Sequence, residues 1–219
     1  MRGTPLVLVF LIAVFTANAQ VNRTPVIGDR VTIGVDGGVI LPSSQFTASN
    51  FATISNTSKI GAYPIDGYHY DAYLGVKFSH VFGIMAQYGE NTGFVSAEYF
   101  AGPYLSVKVL KIRLEAKVLA GLITSNYATF STNTGTGYIL DAYQNGSGFG
   151  YCAGAKIKYT LFGGVLGIGA GLNYLSSDIK YAGWTQTISS ENVTQALSNG
   201  SVKMSSGLVQ ATIGLSIDI

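Results

Sequence analysis

The chain has 219 residues, of which 47% are hydrophobic and only 11% charged, with 28 glycines and a mean hydropathy of +0.33. Thirteen basic and 11 acidic residues give a formal net charge of +2, which excludes recognition of nucleic acid by bulk charge. The one cysteine, Cys152, rules out an intrachain disulfide, and the two separated histidines, His69 and His80, form no metal constellation, so no cofactor is expected.

Arg2, the apolar run from Leu6 to Phe15 and the small residues Ala17-Asn18-Ala19 predict a cleavable secretory leader over residues 1–19. Its loss with Arg2 lowers the net charge to +1 and leaves residues 20–219 as a single exported domain. No apolar run after the leader reaches the roughly eighteen residues of a membrane-spanning helix. The hydropathy must therefore be distributed in another way.

Period-two alternation supplies it, since a strand turns successive residues to opposite faces. Val31 to Leu41 sets Val31, Ile33, Val35 and Val39 against Asp36, and Tyr68 to Phe78 sets Tyr68, Tyr70, Leu74 and Val76 against His69, Asp71 and Lys77. A third segment runs from about Phe82 to Tyr88. A fourth runs from about Val95 to Lys108, with Tyr99, Ala101, Leu105 and Val107 on its apolar face. The fifth, Ile112 to Leu122, has Ile112, Leu114, Ala116, Val118, Ala120 and Leu122 on one side and Arg113, Glu115 and Lys117 on the other. Phe149 to Tyr159, Val165 to Tyr174 and the chain end through Val209 and Ile219 complete a set of eight, an even number.

Connection lengths form a second pattern. Short links occur at 79–81, 109–111 and 160–164, and long polar ones at 42–67, 123–148 and 175–206; the link at 89–94 is short where a long one would continue the alternation. Aromatic residues gather at the segment ends, with Tyr68, Tyr88, Tyr99, Phe149, Tyr151 and Tyr174 toward the long links and Phe78, Phe82 and Tyr159 toward the short ones. Apolar faces with aromatic borders, short turns at one end and long loops at the other predict an eight-stranded antiparallel up-and-down transmembrane β-barrel. Ten strands would result if the first or last long loop hid a further membrane-crossing hairpin, and Ser190 to Leu197 could alternatively form a short helix. The competing soluble β-sandwich would have to pack these apolar faces against each other.

A barrel of eight strands has a lumen that side chains fill. The inward set Asp36, Asp71, Glu98, Arg113, Glu115 and Lys117 predicts a charged plug, with Gly34, Gly75, Gly102, Gly121, Gly154 and Gly167 leaving room for Phe100, Tyr104 and Arg113. Pro103 cannot donate to a ladder, and a bulge or local irregularity is expected there.

With this pattern, residues 31–219 resemble the small bacterial outer-membrane barrels, the group that includes the OmpA transmembrane domain, OmpX, OmpW and related barrels of Bacteroidetes. The chain end Thr212-Ile213-Gly214-Leu215-Ser216-Ile217-Asp218-Ile219 is similar to the family's C-terminal assembly signal, carried by Thr212, Gly214, Ile217 and Ile219, with Ile219 where Phe is commonest. The resemblance implies an outer-membrane location, lipid contact and the barrel assembly machinery as a partner during biogenesis. The chain is expected to stop at strand eight, leaving no room for the peptidoglycan-binding domain that many OmpA-like proteins carry, so wall anchoring is not carried over.

Three roles fit such a barrel: a structural or surface-interaction protein acting through its loops on an unidentified extracellular ligand, a narrow channel for small polar solutes, or a lipid-modifying enzyme. The enzyme would draw on His69 and Asp71, two residues apart on one face, but no serine motif accompanies them. Gly167-Ile168-Gly169-Ala170-Gly171 lacks phosphate-loop spacing and reads as strand packing. The reading carried forward is the non-catalytic one, with no nucleic-acid partner.

Overall fold

Alternation of the kind seen from Ile112 to Leu122 repeats along a sheet that closes on itself. The computed structural model describes residues 30–41, 45–49, 62–64, 67–92, 95–133, 138–188, 193–197 and 202–219. The leader at 1–19 lies outside them. Among these residues the strands are β1 (Val31–Ile40), β2 (Gln45–Ser49), β3 (Ala62–Pro64), β4 (Gly67–Lys77), β5 (Phe82–Asn91), β6 (Val95–Val109), β7 (Ile112–Asn133), β8 (Tyr138–Leu161), β9 (Leu166–Ile188), β10 (Val193–Leu197) and β11 (Val202–Asp218). Eight of them make the ring: β4 through β9 pair in sequence order, β9 pairs with β11, and β1 bridges β11 and β4 through Val35↔Leu215 and Val35↔Ala72. Every pairing is antiparallel, and closure leaves the membrane-level part without an edge.

The ten-strand alternative is not what forms. β2 continues the line of β1 along β11 (Phe46↔Ser206), β3 pairs with β2, and β10 folds back on β9 (Gln195↔Gln186), so these short strands prolong existing ones. β10 also replaces the helix considered for Ser190 to Leu197. At Pro103 there is an irregularity but no bulge. Pairing of β6 with β7 lapses at Gly102 and Pro103 and resumes at Tyr104↔Lys117 in the same register, while Ile84↔Pro103 holds on the other side. The register shift in this pair falls instead between Val95 and Ser96.

Ile112, Leu114, Val118 and Leu122 are 48–61% exposed, whereas Arg113 is fully buried. Ile33, Leu74, Ile84, Ile157, Ile168, Leu172 and Leu215 extend this apolar exterior around the ring. An apolar patch running round the whole molecule has no stable home in water. It is bordered on one side by Tyr88 against Tyr99, with ring centroids 5.2 Å apart, and by Tyr151 against Tyr174 at 6.5 Å. On β8 the belt runs from Phe149 to Tyr159, matching the roughly 9–11 residues of a tilted strand crossing hydrocarbon.

Past that border the two faces exchange character. Thr124, Asn126, Ser147, Asp178 and Lys180 now point outward and are exposed, while Ile123, Leu175, Ile179, Tyr181 and Leu208 inside are fully buried. The reason is the change of outer solvent: where water replaces lipid, the favourable place for apolar groups becomes the interior. Segments 123–148 and 175–206, read from sequence as loops, are thus largely strand, with β7 and β8 leaving only 134–137 between them. They form hairpins that carry the sheet beyond the membrane.

Candidate functional site: the lumen and its outer stopper

Four layers fill the barrel. Nearest the chain termini, Asp218 on β11 receives Arg113 Nη1 at 2.9 Å, Lys158 Nζ at 3.1 Å and the Thr32 hydroxyl at 2.6 Å, and Lys158 also meets Glu115 at 3.0 Å. Strands β1, β7, β8 and β11 converge here because each turns every second residue inward. Arg113, Lys158 and Asp218 are essentially without solvent exposure, so each charge depends on its partners.

In the next layer the Lys156 ammonium bonds Asp36 and donates to the Tyr73 hydroxyl at 2.9 Å, and Lys117 donates to Gln87 Oε1 at 2.6 Å. A cavity of about 20 Å³ lies among Asp36, Tyr73, Tyr104, Lys117 and Asn173, space for a molecule the size of water. The Tyr73 and Tyr104 rings reach into this layer because glycines face them. A Cβ on Gly34 would collide with the Tyr73 ring, and one on Gly75 would stand 3.0 Å from Tyr104. Gly34→Val is accordingly expected to cost about 1–3 kcal/mol in urea unfolding from lipid vesicles.

The third layer is built on His69, whose Nδ1 lies 3.0 Å from Asn91 Oδ1 and whose Nε2 lies 3.0 Å from Asp71 Oδ2. The Asn91 amide donates to Glu98 and to Ser96 Oγ (3.2 Å), and Gln210 donates to Asn91 at 3.1 Å. Both imidazole nitrogens are engaged, and His69 is fully buried. A hydrolytic triad needs one nitrogen facing a serine, and here neither does.

Above this the apolar stopper closes the end opposite the termini, with Ile40 beside the five residues named earlier. Tyr181 donates to Ser125 Oγ at 3.0 Å; burial pushes its phenol up to about 12, and the Ser125 contact opposes that only in part, so it stays protonated as a donor. Leu175→Ala should destabilise the barrel by about 2–5 kcal/mol through the cavity it leaves, readable as a lowered urea midpoint.

Each of the six charges singled out from sequence therefore has a place. Arg113 and Glu115 lie in the first layer, Asp36 and Lys117 in the second, Asp71 and Glu98 in the third. Their partners Lys156, Lys158, Asp218, Gln87 and Asn91 were missing from that set, although period two already put the first three on inward faces. In the chain-end motif, Thr212 is buried inward, Gly214 abuts Asp36 and Val35 across the β1–β11 seam, and Ile217 and Ile219 are exposed on the apolar exterior. Of the aromatics within the long polar links of the sequence, Tyr63 falls in β3, Tyr127 and Phe130 in β7 and Trp184 in β9, whereas Phe51 lies outside the described residues.

No protein-family model and no curated protein matches the sequence. Among solved structures the chain is similar to the outer membrane protease OmpT from Escherichia coli (10% identity, 87% of this chain and 94% of that one, TM-score 0.48). It is also similar to the outer membrane protein OprG from Pseudomonas aeruginosa (11%, 88% and 97%, 0.45) and to Neisserial surface protein A (14%, 86% and 97%, 0.40). A closed ring of eight strands, a lipid-matched apolar belt with aromatic borders and a side-chain-filled polar lumen give this chain the architecture of a small membrane-spanning β-barrel.

Proposed function

We propose that this barrel is a non-conducting, non-catalytic membrane anchor that holds a rigid antiparallel sheet in the external medium for contact with other molecules. One observation carries the reading: beyond the aromatic border the outward face becomes polar, while inside Ile123, Leu175, Ile179, Tyr181 and Leu208 are fully buried with only small hydroxyls among them. That inversion stoppers the lumen and at the same time gives the projecting hairpins a core of their own. β7 runs on from Ala128 to Asn133 against β8, past the point where β6 begins opposite Tyr127. Among the described residues this stretch pairs on one side only, and the remaining backbone groups suit an extended partner segment.

Planar-bilayer recordings of the refolded protein test the reading. Silent membranes are expected, and discrete conductance steps would favour a channel instead. A peptide tag placed between Asn133 and Tyr138 should be stained by antibody on intact cells, whereas a tag between Leu110 and Lys111 should require permeabilisation. The reverse staining would place the sheet on the wrong side of the membrane for this role.

A further inference from the structure

The end of the barrel that carries the chain termini is built differently from the outer end, and the difference concerns what covers it. The outer end has a polar collar. At the terminal end the apolar belt continues without interruption onto the turns, through Val109, Ile112, Tyr159, Val165 and Ile219, all exposed. Each of the three short turns then sets one large apolar side chain at its tip: Phe78 is 72% exposed, Leu110 90% and Phe162 78%. Leu110 and Phe162 adopt φ of 58° and 48°, where glycine or asparagine would fit with less strain. Leu110 and Phe162 thus combine high exposure with unfavourable backbone, an arrangement that water gives no reason for.

Cations share the rim. Arg30, Lys108 and Lys111 are exposed there, and the Lys108 ammonium lies over Gly164 of the third turn. The nearest acidic side chains, Asp218 and Glu115, are turned into the lumen and neutralised by Arg113 and Lys158.

We propose that this rim is a docking surface for anionic phospholipid of the periplasmic leaflet: Phe78, Leu110 and Phe162 enter the boundary between acyl chains and headgroups, and Arg30 and Lys111 bind lipid phosphates. Continuity with the belt fixes the depth, because apolar surface that runs to the last residue draws the hydrocarbon level with it. Charge fixes the headgroup. Interfacial apolar side chains flanked by lysine and arginine act as such an anchor wherever they occur.

The test uses the whole refolded barrel in vesicles of phosphatidylcholine with a minor fraction of spin-labelled phosphatidylglycerol or spin-labelled phosphatidylcholine. At low salt the motionally restricted signal should favour phosphatidylglycerol by about two- to fivefold, and Arg30→Gln with Lys111→Gln should bring the ratio close to one. Heat-modifiable gel migration checks that the variant is folded. In a Trp184→Phe background, Leu110→Trp and Phe162→Trp should each be quenched by phospholipids brominated high on the acyl chain and be shielded from acrylamide. Equal association of the two lipids, a preference unmoved by the double substitution, or tip tryptophans open to acrylamide would each overturn the proposal. The last result would point to a periplasmic protein surface as the occupant.

Discussion

Asp218→Ala is expected to lower the folding free energy of the barrel in lipid vesicles by about 3–5 kcal/mol, because it removes a shared carboxylate from two buried cations at once. Arg113 and Lys158 both point at Asp218 Oδ1, and Thr32 donates to the same oxygen from across the β1–β11 seam. Water cannot replace the lost acceptor, since Arg113 and Lys158 have no solvent exposure. Asp218→Asn should cost less, keeping the Thr32 hydrogen bond while losing the charge. Pairing Asp218→Leu with Arg113→Met should recover part of the loss, leaving Lys158 to Glu115. Urea titrations read by heat-modifiable migration check the series. If Asp218→Ala were as stable as the parent, this layer would not carry the closure of the seam.

Leu172→Arg on β9 is expected to cost about 2–4 kcal/mol, the penalty for a cation near the middle of the lipid face of a barrel. Leu172 is 58% exposed and sits opposite Ala155, which lies midway between Tyr151 and Tyr159 on β8. Ala182 lies further along the same strand, also exposed and beyond the border, and Ala182→Arg should be close to neutral. The contrast between two outward positions of one strand separates lipid from water as the surrounding medium. In a soluble sandwich the two changes would follow burial alone.

The transmembrane part was legible because one period and one polarity hold along it. From Ile112 to Leu122, alternate residues assign themselves to lipid or lumen, and the structure keeps that assignment. The hairpins beyond the border were read as loops because the polarity reverses there. Ile123, Leu175 and Ile179 continue the inward face while turning it apolar, so a pattern tuned to apolar-outward residues ends at Leu122 and Tyr174. Serine, threonine and asparagine in the same stretches then look like loop composition, although strand pairing satisfies their backbone.

The lumen was legible residue by residue but not as pairs. Arg113 and Asp218, or Asp36 and Lys156, are brought together by the closure register, and nothing local to either residue states it. Lys156 and Lys158 stand on the inward face of an alternating strand, so period two did contain them. What it lacked was the identity of the strand opposite. His69 and Asp71, two apart on one strand, were visible as a pair, and the third layer shows what holds them, with Asn91 and Gln210 occupying the remaining side of the ring.

A spin-label scan of β9 from Ile168 to Ala182 in lipid vesicles, with Cys152 replaced by serine so that each label is unique, tests the account most directly. Labels at 168, 170, 172 and 174 should respond to oxygen and ignore a water-soluble nickel chelate, labels at 178, 180 and 182 should do the opposite, and labels at the intervening inward positions should respond weakly to both. Nickel access throughout the even positions would remove the lipid belt. Nickel access at the inward positions would show an open lumen and contradict the sealed barrel.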